Sequence, residues 1–335
     1  MSVDAGQTGA MAPPVALFVL GMFRSGTSAL TRVLSLCGGT LPASLVGARV
    51  GNPLGHWEPR AANYLNESIL HRHGSSVFDP SLRLQEEDAF TAEENAACIA
   101  EIRGFLTTLP VAPLVVIKDP KITVLPDQWF EAARLAGFNI AVAITVRHPQ
   151  EVMSSVAALN KTSPELSGAL WLKYTLMAER RTRDLPRVFV DYANLLDDWR
   201  REVERVSAAL AIDLTTRDED AIDAFLAPDL RHTRHCGPVT DVFGTDWMPA
   251  TYEALRAAAR DEPLDEPALD RVFDAYRTSE HAFRVAFEDF RDHHNGVLFR
   301  PSIRKLVNEV VAKTHLEGVL ARPSVSKLAH EIRRW

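Results

Sequence analysis

Arg24, Ser25, Gly26, Thr27 and Ser28 stand together after the apolar run Val15 to Leu20 and before the amphipathic stretch Ala29 to Leu34. A guanidinium, three hydroxyls and a glycine at a strand-to-helix turn are the parts of an anion cradle. Such a turn directs successive backbone N–H groups into one concavity, with the positive end of the helix dipole behind it. It can hold a phosphate or sulfate without a metal. The spacing Gly21-x-x-x-x-Gly26 followed by Thr27-Ser28 nearly fits the triphosphate loop G-x-x-x-x-G-K-[ST], but Thr27 stands where the lysine would be. The cation is Arg24 instead. That placement suits a shorter anionic group at the loop mouth better than a triphosphate chain with bound magnesium.

Three further apolar, β-branched runs read as buried parallel strands: 114–117, 140–146 and 188–190. Each ends in groups that can do chemistry: Lys118-Asp119-Pro120-Lys121, Arg147-His148-Pro149 and Asp191-Tyr192. Helical patterns lie between the strands, over 61–72, 92–109, 127–136, 150–159, 164–183 and 195–210. Alternating strands and helices imply right-handed crossovers and a doubly wound sheet whose ligands lie beyond the carboxyl ends of the strands. The fold class expected is therefore α/β, a P-loop-type three-layer parallel sheet flanked by helices with a helical C-terminal appendage. Residues 1–14 read as a flexible arm and 15–237 as the core. Residues 238–335, with helical patterns at 251–260, 266–291 and 301–316, read as an extension and not a second catalytic unit. No internal repeat is present in the sequence.

Two separated segments resemble the sulfotransferase superfamily, whose donor is 3′-phosphoadenosine 5′-phosphosulfate. Phe23-Arg24-Ser25-Gly26-Thr27-Ser28 is similar to the family's 5′-phosphosulfate loop, where a Lys or Arg precedes Ser-Gly-Thr. Arg147-His148-Pro149-Gln150-Glu151-Val152-Met153-Ser154-Ser155 is similar to its 3′-phosphate motif, an Arg at a strand end and a Ser eight residues on. Weaker likenesses join them. The segment from Gly51 to Glu58 resembles the acceptor side of bacterial and carbohydrate sulfotransferases, and that from Asp191 to Trp199 resembles the family segment after the last core strand.

The resemblance implies a sulfuryl transfer from that donor to a hydroxyl on a sugar, glycolipid or secondary metabolite. Arg24 would clamp the sulfuryl and bridging oxygens, Ser25 to Ser28 would hold the 5′-phosphate, and Arg147 with Ser155 the 3′-phosphate. Ser154 competes with Ser155 for that place. Many small-molecule members carry a His two residues after a strand-end Lys, whereas Lys118 is followed here by Asp119 and Pro120. The general base must come from elsewhere. Glu58 is the first candidate, His56 the second and Asp119 the third, while Lys118 would assist the sulfuryl oxygens. Arg231, His232 and Arg234 would form a basic loop near the nucleotide.

Whole-chain properties narrow the classes. The 335 residues are 46% hydrophobic, enough for a large core, and a net charge of −7 offers no field for nucleic acid. Three widely separated cysteines argue for free thiols, and no apolar run is long enough to span a bilayer, so a cytoplasmic protein is expected. His71-x-His73 and His232-x-x-His235-Cys236 lack zinc spacing, and no metal is expected. The spacing Trp171, Tyr174, Met177 reads as core. Two other readings stay open at this level: a P-loop small-molecule kinase with Arg24 replacing the loop lysine, and a noncatalytic nucleotide-binding protein.

Overall fold

The computed structural model describes residues 12–48, 52–215, 217–226, 237–295, 303 and 306. Four strands, β1 (Val15–Leu20), β2 (Leu114–Ile117), β3 (Asn139–Val146) and β4 (Arg187–Asp191), form one parallel sheet in the order β2-β1-β3-β4. β1 lies inside the sheet and pairs with β2 and β3, Val15 opposite both Leu114 and Asn139. Strands covered on both faces need apolar side chains at every position, and Ala16 through Leu20 are all fully buried.

Alternation along β1 divides the core into two layers. Leu17 and Val19 pack beneath α1 (Thr27–Leu36), which contributes Leu30, Val33 and Leu34. Ala16, Phe18 and Leu20 face the other layer, which includes residues of α3 (Ala92–Leu106), α4 (Pro126–Leu135) and α6 (Pro164–Arg180). Phe18 meets the edges of Trp129 at 6.1 Å and Phe130 at 5.5 Å. The expected three-layer α/β architecture is what the chain adopts. Between the strands, α2 (Arg60–Arg72) follows the segment that ends in Glu58 and Pro59, and α5 (Pro149–Asn160) starts immediately after Arg147 and His148.

Local hydrogen bonding explains where helices depart from the periodicity. The single helix expected over 195–210 is two, α7 (Tyr192–Asp197) and α8 (Trp199–Leu210), because Asp198 leaves the helical region and its carboxylate caps the amide of Arg201 at 3.1 Å. α3 stops at Leu106, and the hydroxyls of Thr107 and Thr108 bond back to the carbonyls of Gly104 and Phe105. The 3-10 turn Pro120–Val124 and α9 (Glu219–Phe225) were not apparent in the sequence pattern.

Beyond the sheet, α10 (Trp247–Ala258) buries Met248, Tyr252 and Leu255, and the start of α11 (Glu266–Asn295) buries Leu269, Val272 and Tyr276, all in the same apolar cluster as Phe18. By compactness the chain divides into Met1–Thr278 and Ser279–Trp335. The helical pattern over 301–316 lies outside the described residues except at Ile303 and Leu306. Among the described residues no helix is long and apolar enough to cross a membrane.

The segment around Val77–Pro80 is tied down through its main chain. Tyr174 donates to the Val77 carbonyl at 3.0 Å, Lys173 to that of Asp79 at 2.8 Å and Tyr276 to that of Pro80 at 2.6 Å. Phe78, on this strap, meets Phe23 of the anion loop edge-on at 5.5 Å.

Phe18→Ala leaves a large hole under β1 and is expected to cost about 3–5 kcal/mol, read from urea unfolding midpoints. A loss well under 1 kcal/mol would contradict the packing of Phe18 against α4.

Candidate active site

The turn after β1 takes its shape from three residues with positive φ: Gly21 at 134°, Arg24 at 72° and Gly26 at 95°. At Gly21 a Cβ would lie 2.5 Å from Thr145 Oγ1, and at Gly26 one would lie 2.3 Å from Tyr192 Cδ2. Neither position has room for a side chain. Arg24 accepts left-handed backbone with its side chain in place, so the loop carries its cation on a strained residue. α1 then begins at Thr27 with no side-chain cap, which leaves its first-turn N–H groups to a ligand.

Two arginines meet over this loop. Arg24 Nε donates to Ser155 Oγ at 2.8 Å, joining residues far apart in sequence. Arg147 donates to the main-chain carbonyl of Arg24 at 2.8 Å, pairs with Glu151 at 2.8 Å, and lies over the Tyr192 ring at 4.5 Å. Tyr192 thus packs between the glycine of the loop and the guanidinium of β3's end. The structure brings Ser155 to Arg24, whereas Ser154 is exposed. Among the described residues no carboxylate pairs with Arg24. Burial, and then the charge of Arg147, push its pKa down. A partly buried guanidinium without a carboxylate, beside a second arginine, favours an anion that neutralises it.

On the other side of the loop the end of β2 supplies Lys118. Its Nζ donates to Glu58 Oε1 at 2.7 Å, to the His56 carbonyl at 3.1 Å and to Ser28 Oγ at 3.2 Å. An ammonium has three donors, so these contacts occupy all of them. Asn63, in the second turn of α2, donates to Glu58 Oε2 at 2.8 Å. Trp57 adopts φ of 58° between His56 and Glu58, and its ring lies under the Arg32 guanidinium at 4.5 Å. His56 Nδ1 is 3.9 Å from Glu58 Oε1. Burial raises the Glu58 pKa, but the charge and hydrogen bond of Lys118 outweigh it, so the carboxyl sits below its ordinary range.

Asp119 differs. It is fully enclosed, caps the Lys121 amide at 2.9 Å and pairs with the Lys121 ammonium at 3.3 Å. Burial drives its pKa up against the pull of Lys121. No part of it is exposed, and its carboxylate is engaged by the 3-10 turn and Lys121. Sequence reasoning placed Tyr192 among the strand-end groups without giving it a contact, and did not single out Asn63. Asn63 has no spacing signal at all, being one polar residue on a helix face. Arg231, His232 and Arg234 lie outside the described residues; the neighbouring Gly237 carbonyl meets His148 Nε2 at 3.2 Å. A separate cavity lined by Val15, Asn139, Leu185 and Ala211 opens at the amino ends of the strands, opposite these groups. Among the described residues no cluster of three or more His, Cys, Asp or Glu side chains could hold a metal.

Residues 14–216 match a family model described as the sulfotransferase family. The match covers more than half of the chain, and the protein belongs to that family: it is a sulfotransferase. Among solved structures, it is similar to the sulfotransferase domain from the curacin biosynthetic pathway, with 16% identity over 76% of this chain and 99% of that one, TM-score 0.41. It is also similar to the sulfotransferase domain from the Synechococcus PCC 7002 olefin synthase, with 18% identity over 82% and 98%, TM-score 0.40. No curated protein matches the chain. Family membership replaces the kinase and noncatalytic readings left open by the loop spacing.

Gly26→Ala forces a methyl group into the Tyr192 ring at a left-handed backbone position. The expected loss is about 1–3 kcal/mol of stability, measured by thermal unfolding, with the penalty reduced in a Tyr192→Ala background.

Proposed function

We propose that the protein transfers a sulfuryl group from 3′-phosphoadenosine 5′-phosphosulfate to an acceptor hydroxyl. The observation that carries this reading is the pair of guanidiniums, Arg24 and Arg147, converging on one anion loop with no carboxylate on Arg24 among the described residues. A donor with a phosphosulfate at one end and a phosphate at the other fits two such cations. Arg24 with the amides and hydroxyls from Ser25 to Ser28 would hold the phosphosulfate, and Arg147 with Ser155 the 3′-phosphate.

In the reaction the acceptor oxygen attacks sulfur as the bond from sulfur to the bridging phosphate oxygen breaks. Adenosine 3′,5′-bisphosphate leaves with that electron pair, and the acceptor proton passes to Glu58. Arg24 neutralises charge as it builds on the bridging oxygen. Glu58 suits the base because it is ionised and its second oxygen, among the described residues, is bound only by a neutral amide, that of Asn63. His56 is the alternative proton acceptor, 3.9 Å from Glu58. With its three donors occupied by Glu58, His56 and Ser28, Lys118 would act by holding the base and not by reaching the sulfuryl oxygens. The acceptor would be a sugar, glycolipid or small-molecule alcohol entering beside α2 and the strap at Val77–Pro80. Buried free thiols at Cys37 and Cys98 support a cytoplasmic setting.

Labelled donor and a library of hydroxyl acceptors test the reading. Glu58→Gln is expected to bind adenosine 3′,5′-bisphosphate normally while transfer falls by about 10²–10⁴-fold. Arg24→Gly, which suits the loop backbone but removes the cation, loses both binding and transfer. Wild-type protein should prefer the 3′-phosphorylated donor over adenosine 5′-phosphosulfate, and Arg147→Ala should abolish that preference. Equal use of the two donors by the wild type would refute the assignment of Arg147. In the donor-free protein Glu58 should titrate below the ordinary carboxyl range and stay ionised until pH falls below that range.

A further inference from the structure

Asn63 donates its side-chain amide to Glu58 Oε2 at 2.8 Å while Lys118 holds Oε1 at 2.7 Å. We propose that Asn63 is a positioning residue for sulfuryl transfer: it fixes the plane of the Glu58 carboxylate and leaves Oε2 as the atom that takes the acceptor's proton. The proposal rests on the reading of Glu58 as the base.

The two contacts are chemically unequal. Lys118 is a buried cation, and its short, charge-assisted hydrogen bond draws electron density from Oε1. Asn63 is neutral, so Oε2 remains the more basic oxygen with a lone pair to spare. A carboxylate held at one oxygen still turns about its last torsion, which is broad and roughly two-fold for Glu. Held at both, it is locked. The orientation of the amide follows from charge, since only its NH₂ side can face an ionised carboxylate. Asn63 makes no hydrogen bond to the anion loop among the described residues, so its effect passes through Glu58 alone. Its location near the start of α2 lets it reach back to Glu58, two residues before the helix.

Asn63→Asp keeps the shape of the side chain, removes the donor and places a like charge beside Glu58; Asn63→Ala removes the donor alone. Three readouts separate positioning from support of the fold. Carboxyl ¹³C NMR of donor-free protein follows Glu58 directly. A pH profile of kcat/KM for the acceptor at saturating donor follows the base in the reaction. Calorimetry with adenosine 3′,5′-bisphosphate follows the anion site.

Expected are an upward move of the Glu58 titration by about one pH unit or more in Asn63→Asp and less in Asn63→Ala. The acid limb of the profile should move with it, kcat should fall by about tenfold or more, and bisphosphate affinity should stay as in wild type. A Glu58 titration unmoved in both variants overturns the proposal. If the titration moves but the acid limb does not, and Glu58→Gln retains transfer, then Glu58 is not the base. The reading and the positioning role then fall together.

Discussion

The contact on which the site depends is the buried ion pair between Lys118 and Glu58. Taking an ammonium and a carboxylate out of water is costly, and their attraction offsets that cost only when the remaining hydrogen-bonding capacity is met. Here it is met. Lys118 reaches Ser28 in the anion loop, the His56 carbonyl and Glu58, while Asn63 takes the second carboxylate oxygen. One side chain from the end of β2 therefore ties the loop after β1 to the segment before α2. Replacing either side chain by an apolar one would leave the other charge buried and unpaired, typically a loss of about 3–5 kcal/mol, whereas a Gln at 58 keeps an oxygen for Lys118.

The opposite flank of the loop is organised by repulsion held in check. Arg24 and Arg147 approach each other because the Arg24 carbonyl accepts from Arg147, Ser155 accepts from Arg24, and Glu151 offsets part of the charge. Tyr192 sets the height of the stack by filling the space above Gly26. The sheet makes this possible: parallel strands β1, β2, β3 and β4 deliver the loop, Lys118, Arg147 and Tyr192 to one edge, from chain segments well over a hundred residues apart.

Much of this architecture was legible in the sequence because strands buried on both faces leave continuous apolar runs, and because a glycine-rich turn followed by a helix is a local signal. Lys118, Arg147 and Tyr192 could be placed at strand ends for the same reason. The pairing of groups was not legible. Nothing in the residues around Glu58 says that Lys118 will meet it, or that Ser155 and not Ser154 will face Arg24, since both follow from how α2 and α5 rest on the sheet. Asn63 is an ordinary polar residue until α2 is docked. The break at Asp198 was missed for a different cause: a side chain that bonds its own neighbouring amide outcompetes a helical periodicity that continues on both sides of it.

The strap over the anion loop is fastened at Val77, Asp79 and Pro80 by donors that all end on backbone carbonyl oxygens. These three bonds do not use the strap's own side chains, although the Asp79 carboxylate also accepts from Ser75, Ser81 and Arg83. Away from Phe78 and Asp79, its side chains can therefore be changed without cutting these moorings. A scaffold so divided keeps the loop and its cations constant while the strap is open to substitution, a convenient starting point for grafting new acceptor specificities onto an unchanged frame.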